Sequence, residues 1–383
     1  MLFTFIGGSG HLRPLFPFAR AAQAAGHTVA IAGAGNRYEE IVAAGFTAFR
    51  TSEPRPTPTA TATEAEAEAE EPLPAPDPLR DERVMREGFA GRGARRHAAA
   101  IRELALTWKP DVIVRDEVDF GAAIAAQTLG IACATVMVLL AGGFVRPDVV
   151  ADPLDELRAE YGLPPDPDLS SLRGELLIMP APPTLRDPKF PLPEDTFYCR
   201  PDHTAPAAES TPSRTRPGIY CTFGTIDTYR ELFDKILTAV RDLPVDLVMT
   251  VGPRLNPASF GPQPAHVRIA SFLPQNQVLP NSDLVIAHGG SGTLIGSLAH
   301  GLPSLLLPLG ADQPHNTRRC VALGTARDLN PMTFTPQDVT NAITQLTDKS
   351  TATPYRTSAR QLQSEINALP SPEATIAALE HLT

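Results

Sequence analysis

Twice in this chain a short apolar run gives way to a glycine-rich turn and then to a helical pattern. Residues 2–6 (LFTFI) lead into Gly7-Gly8-Ser9-Gly10, and residues 284–287 (LVIA) lead into His288-Gly289-Gly290-Ser291-Gly292-Thr293. A brief apolar run bounded by glycine reads as a buried strand, and such strands alternating with helices imply a parallel sheet with right-handed crossovers. The first half follows this pattern. Strands at 2–6, 28–32 and 46–50 alternate with helices at 12–25 and 37–44; the first helix takes Pro14 in its opening turn and ends at Gly26. An arginine-rich helix at 82–107 precedes a fourth strand, VIVRD at 112–116, then a helix through Ala125, a fifth strand near 131–138 and a short helix at 153–162. The pattern restarts at Tyr220–Phe223, a strand ending at Gly224-Thr225. A helix at 230–241, strands at 245–251, 267–270, 284–287 and 304–308, and a helix at 291–300 follow. Helices at 336–347, 355–368 and 372–382 finish the chain. Each half is expected to be a doubly wound α/β domain.

The 383 residues suit two such domains, and 40 prolines mark the breaks. Pro54, Pro56 and Pro58 lead into a low-complexity stretch over 53–80 that includes EAEAEAEE at 64–71 and offers almost nothing to bury. A mobile loop over 55–78 is the expectation, with a short acidic helix over a binding cleft as the alternative. A second proline-rich stretch, 180–217, reads as an extended interdomain connection. The domains are therefore set at 1–200 and 218–370, with a linker at 201–217 and a last helix, 371–383, returning to the N-terminal domain. Hydrophobic residues at 43% and charged residues at 20% describe an ordinary globular protein, and a net charge of −10 argues against a nucleic-acid partner. No apolar run reaches the ~18–20 residues of a membrane span, and the N-terminus lacks a signal-peptide pattern. Cys133, Cys199, Cys221 and Cys320 are widely separated, as expected of reduced thiols in a cytoplasmic protein.

Ligands of open α/β sheets bind beyond the carboxyl ends of the strands, where the strand order reverses. In a 3-2-1-4-5 order, strands 1 and 4 are neighbours there. The loop after strand 1 carries His11 and strand 4 ends at Asp116. A histidine beside a carboxylate is the usual way to build a general base. Taken singly, His11 also reads as a helix-start or core histidine, and Asp116 as a strand-end acid with a structural hydrogen bond. In the second half, the His288–Thr293 turn would present unpaired backbone N–H groups suited to phosphate, or would simply make a tight connection. A dinucleotide fingerprint fails because Arg13 occupies its third glycine position, and no GxxxxGK[ST] is present. Asp166-Pro-Asp168 reads as ordinary loop, and no metal-ligand cluster is visible.

Residues 272–320 (FLPQNQVLPNSDLVIAHGGSGTLIGSLAHGLPSLLLPLGADQPHNTRRC) closely resemble the donor-binding signature of GT-B glycosyltransferases. The likeness is to the bacterial natural-product group related to UDP-glucuronosyltransferases, family 1. Residues 7–29 and 110–132 resemble the same group's N-terminus and fourth-strand region, and the likeness fails over 53–80. The resemblance implies a GT-B fold, two facing Rossmann-like domains separated by a cleft, with acceptor bound by the first and nucleotide sugar by the second. It implies His11 as general base and Asp116 as its orienting acid. Phe272 would stack on the donor's base and the Leu273 backbone would pair with it. His288, Gly290, Ser291, Gly292 and Thr293 would hold the diphosphate with help from Thr225, and Asp312 with Gln313 would contact the sugar. Gly296 stands where relatives that use UDP-sugars carry a ribose-binding glutamate, so the expected co-substrate is a dTDP-linked deoxysugar. The implied reaction is metal-independent, inverting transfer to a hydroxyl of a polyketide-like aglycone, with no cofactor and no stable membrane insertion. The oligomeric state, a homodimer among the choices, stays open. The alternatives are a GT-B sugar-nucleotide epimerase and a catalytically silent partner of another transferase.

Overall fold

The computed structural model describes residues 1–54, 73–202, 215–224, 229–348 and 350–383. Residues 55–72 of the expected mobile loop lie outside the described residues, and so does Thr225. The chain divides into two compact units. The first comprises residues 1–57, 78–202 and 368–383, and the second residues 58–77 and 203–367.

In the first unit, β1 (Leu2–Thr4), β2 (Ala30–Gly33), β3 (Thr47–Arg50), β4 (Val112–Asp116), β5 (Ala132–Val136), β6 (Leu176–Met179) and β7 (Phe197–Tyr198) form one sheet. Its order is β3-β2-β1-β4-β5-β6-β7. In the second, β8 (Gly218–Thr222), β9 (Asp246–Thr250), β10 (Val267–Ala270), β11 (Leu284–Ala287), β12 (Ser304–Leu306) and β13 (Ala326–Asp328) follow the order β10-β9-β8-β11-β12-β13. Every pairing is parallel. The reversal points therefore fall between β1 and β4 and between β8 and β11, which puts His11 near Asp116 and brings the end of β8 to the His288 turn. The central strands are buried from end to end, as strands covered on both faces must be.

The structure departs from the sequence reading in several places. Leu176–Met179 and Phe197–Tyr198 extend the first sheet, so much of 180–217 belongs to that unit instead of connecting the two. The first of these strands is only four residues long and the second only two, too brief for a period to register. Ala326–Asp328 is an edge strand whose polar Arg327 and Asp328 carry no strand signal. The helix expected from 153 begins at Pro147 and carries Pro153 inside it. Low-complexity sequence does bury something: Leu73 is 8% exposed in the core of the second unit. The 82–107 helix is observed as an α-helix over Pro78–Arg83, a π-helical stretch over Val84–Gly93 and an α-helix over Ala94–Trp108. Residues 368–383 carry Ile376 and Leu379 into the core formed by Phe16, Phe18 and Ile31 of the first unit, and the Arg200 N–H donates to the Pro370 carbonyl at 2.9 Å.

The helices Ala94–Trp108 and Phe120–Leu129 flank β4 and come nearly into backbone contact at Gly121. A Cβ there would lie 2.3 Å from the Ala94 oxygen and 2.6 Å from the Ala98 nitrogen. Alanine has the better helix propensity by about 1 kcal/mol, but overpacking against backbone costs about 3 kcal/mol. Gly121→Ala is therefore expected to lose about 2 kcal/mol of stability in urea unfolding; an unchanged or raised midpoint would show that the two helices separate freely.

Candidate active site

The first candidate group sits where β1 and β4 end side by side. Gly7 has φ +106°, and a Cβ on it would lie 2.8 Å from His11 Cδ2, so only glycine lets the chain turn this closely under the imidazole. The short helix Ser9–Leu12 then carries His11, whose Nδ1 is 3.7 Å from Asp116 Oδ1. That is longer than a hydrogen bond, and such contacts commonly tighten in a substrate complex. The His11 side chain is 22% exposed while that of Asp116 is fully buried. Asp116 is held by three backbone donors: Ile6 N–H to Oδ2 at 2.9 Å, and Val118 N–H and Asp119 N–H to Oδ1 at 2.7 and 3.1 Å.

The neighbouring acids are committed elsewhere. Burial pushes the Glu117 carboxyl up, and its Oε2 accepts from the N–H groups of Val138 and Leu139 at 2.7 and 2.8 Å. Burial alone would raise Asp119, yet the adjacent His97 holds its carboxyl below the usual range. Asp119 Oδ1 lies 3.1 Å from His97 Nδ1 and caps the Phe120–Leu129 helix through the Ala122 N–H. The buried Arg115 guanidinium donates to the carbonyls of Asp116 and Glu117 at 2.9 and 3.0 Å, and also to that of Leu172. Of the acids in this segment, Asp116 is the one turned to His11.

The second candidate group surrounds the end of β11. The helix Ser291–Ala299 has no side-chain cap, and its first backbone bond runs from Leu294 N–H to Gly290 O. The N–H groups of Gly292 and Thr293 meet no backbone acceptor among the described residues, so the helix start presents donors of the kind that suit an anion. The Thr293 hydroxyl accepts from Gln275 Nε2 at 3.2 Å, which leaves its own proton to donate. Ser291 Oγ donates to Asp312 Oδ2 at 2.8 Å. Asn316, which the sequence reading passed over, donates to Asp312 Oδ2, to Ser291 Oγ and to the Gly289 carbonyl at 2.7, 3.2 and 3.0 Å. Its position one helical turn after Asp312 was the available signal. Gln313 Oε1 accepts from the N–H groups of Leu309 and Gly310 and so shapes the loop that presents Asp312. Ala311 in that loop has φ +54°, a left-handed conformation uncommon for alanine.

Phe272 is 57% exposed, which excludes a core-packing role. Among the described residues, the adjacent Leu273 N–H and carbonyl meet no backbone hydrogen-bond partner. An open aromatic face beside uncommitted backbone groups suits a flat heterocycle. Among the described residues no group of three or more His, Cys, Asp or Glu could hold a metal ion, and no helix is long and apolar enough to cross a membrane.

His288 lies against the glycine turns of both strand ends. Cβ atoms on Gly290 and Gly224 would come within 2.5 and 3.3 Å of its ring. Burial pushes its imidazole down to about 4, against the pull of the Thr222 carbonyl. Between that value and the ordinary 6.5, the unfolded chain binds a proton that the folded one refuses, so stability rises with pH across this window. The expected result is an unfolding midpoint that falls as pH drops from about 6.5 towards 4. His288→Gln should flatten that slope; equal slopes for both proteins would contradict the assignment.

Comparison with known proteins identifies the family. Residues 20–150 match the family described as Erythromycin biosynthesis protein CIII-like, N-terminal domain, and residues 234–382 match its C-terminal domain. Aclacinomycin-T 2-deoxy-L-fucose transferase of Streptomyces galilaeus is 27% identical over 100% of this chain and 96% of that enzyme. Among solved structures, glycosyltransferase VinC in complex with dTDP is similar with a TM-score of 0.74 and 22% identity, over 100% of this chain and 99% of that one. The spinosyn rhamnosyltransferase SpnG complexed with thymidine diphosphate is similar with a TM-score of 0.76 and 22% identity, over 99% of each chain. The two sheets, their reversal points and the two family matches in order along the sequence lead to one conclusion. The chain belongs to the erythromycin CIII-like family of natural-product glycosyltransferases, GT-B enzymes that transfer sugars from nucleotide donors.

Proposed function

We propose that this enzyme transfers a deoxysugar from a dTDP-linked donor to a hydroxyl of a polyketide-like aglycone, with inversion at the anomeric carbon. The observation that carries the reading is the pairing of a partly exposed His11 with a fully buried Asp116 that three backbone N–H groups hold in place. His11 takes the acceptor proton as the oxygen attacks the anomeric carbon, and the nucleoside diphosphate leaves in the same step. Asp116 stabilises the imidazolium that forms. Charge on the departing diphosphate is met by the Gly292 and Thr293 N–H groups and the Thr293 hydroxyl. His288, kept neutral by burial, contributes hydrogen bonding without charge. Phe272 and the Leu273 backbone take the base, and Asp312, oriented by Ser291 and Asn316, takes the sugar hydroxyls with Gln313 beside it. A diphosphate neutralised in this way needs no bridging cation.

The test is transfer from a dTDP-deoxysugar by the purified chain in EDTA, followed by mass spectrometry. Wild-type protein should turn over, His11→Ala should fall about 10²–10⁴-fold with nucleotide affinity nearly unchanged, and Asp116→Asn should fall less. Near-normal kcat in His11→Ala, or a requirement for added Mg²⁺, would overturn the mechanism.

The nucleotide preference follows from Gly296, which is buried in the Ser291–Ala299 helix and brings no carboxylate to the ribose. A site built around a 2′-hydroxyl discriminates against the deoxy analogue because its polar groups are left unpaired, and a site without that carboxylate lacks this bias. The dTDP and thymidine diphosphate bound by the two solved relatives support the same choice. Calorimetry on the wild-type chain should find dTDP bound at least as tightly as UDP; markedly tighter UDP binding would defeat the preference and leave the catalytic pair untouched. Wild-type protein is the cleaner subject, because a glutamate placed at the buried Gly296 would have to make its own room.

A further inference from the structure

The π-helical stretch Val84–Gly93 is ten residues long, and such segments are rare outside single turns and cluster at functional sites. It is built into the sequence at Gly93. A Cβ there would lie 2.5 Å from the Gly88 carbonyl oxygen five residues back and 2.7 Å from Ile6 Cδ1, at the end of β1. Met85 and Ala90 anchor the stretch in the core at 2% and 0% exposure, while Phe89 between them is only half-buried. Its ring centroid is 5.9 Å from that of His11, with the planes tilted by 38°. Gly7 closes on the Cδ2–Nε2 edge of the imidazole and Asp116 faces Nδ1, so Phe89 supplies a third constraint on the ring. Two arginines tie this stretch and the helix Pro78–Arg83 before it to the chain that follows β5. Arg86 reaches the Val149 carbonyl and Asp152 at 3.3 and 2.8 Å, and Arg146 reaches Glu82 and the Gly143 carbonyl at 2.7 and 3.2 Å.

An acceptor hydroxyl must come within about 3 Å of the base. The carbon skeleton carrying it then has to lie beside His11, where Phe89 forms an aromatic wall. Aromatic pairs in offset or tilted contact gain attraction beyond the area they bury, and saturated rings do not. Resting on the glycosyl-transfer reading above, we propose that Phe89 is the acceptor-discriminating residue. Phe89 packs in part against the core that holds Ile6, Met85 and Ala90, and the part of its ring left open to solvent meets a flat, conjugated ring bearing the nucleophilic hydroxyl, while the ring also steadies the His11 imidazole. The acceptor class favoured is thus a planar polycyclic phenol over a saturated ring alcohol of the same size.

Equilibrium dialysis of the full chain tests this without relying on turnover. The probes are a monohydroxyanthraquinone and a saturated tricyclic alcohol of equal ring count. Wild-type protein should bind the anthraquinone more tightly. Phe89→Leu and Phe89→Met should each weaken it about three- to tenfold while changing the saturated alcohol by less than about twofold. Phe89→Tyr should restore binding, and dTDP affinity should hold in all three variants. Equal losses for both probes, no loss for either, or a wild type that binds neither would overturn the proposal. Failure of the parent reading has a different signature: no dTDP binding and no dependence of transfer on His11.

Discussion

One carboxylate holds the first unit's working edge together. Asp116 ends β4, but its oxygens accept from Ile6 just beyond β1 and from Val118 and Asp119 in the turn that follows β4. A parallel sheet does not by itself fix how its carboxyl-end loops are aimed, and here a fully buried anion with three donors does so. The rest of the segment spreads outward from that point. Arg115 gathers the carbonyls beneath the turn, Glu117 holds the backbone at Val138 and Leu139, and Asp119 caps the next helix against His97. Consecutive residues of one short stretch thus position loops from widely separated parts of the chain, and the His11 imidazole they surround stays partly open to solvent.

The second unit uses a different economy. Its candidate site offers backbone donors at a helix start, and its side chains mainly shape the backbone. Gln313 folds its own loop, Asn316 links Asp312 to the glycine turn, and His288 wedges under both glycine turns. A neutral, desolvated imidazole is well matched to that work, since a charged one would lose its hydration there.

Much of this was legible in the sequence because the central strands are short, apolar and bounded by glycine. β4 was read at its observed limits, and the approach of His11 to Asp116 followed from strand order. The unread parts share a physical cause: their signals are local and weak, or depend on tertiary contacts. β7 and β13 are short strands at sheet edges, where pairing with one neighbour decides the conformation and periodicity cannot. The π-helical stretch carries Gly88, Gly91 and Gly93, which weaken a helix signal without specifying its type, and the crowding at Gly93 is seen only in the folded chain. Leu73 is a lone apolar residue in a polar run, and nothing in its neighbourhood announces that the second unit's core receives it. Asn316 is one more polar side chain on a polar helix until Asp312 and Ser291 are seen around it.

Residues 368–383 belong to the first unit although they follow the second in the chain, with Ile376 and Leu379 set among Phe16, Phe18 and Ile31. Recombination between members of the family must respect that layout. A chimera made by one crossover near residue 202 would import a foreign tail into the recipient's N-terminal core, mismatching side chains far from the unit being exchanged. The exchangeable cassette is instead an insertion with two seams, the second just before Ala368. Leu73 adds a further requirement, since the stretch around it comes from the N-terminal part of the gene but packs in the core of the unit being replaced.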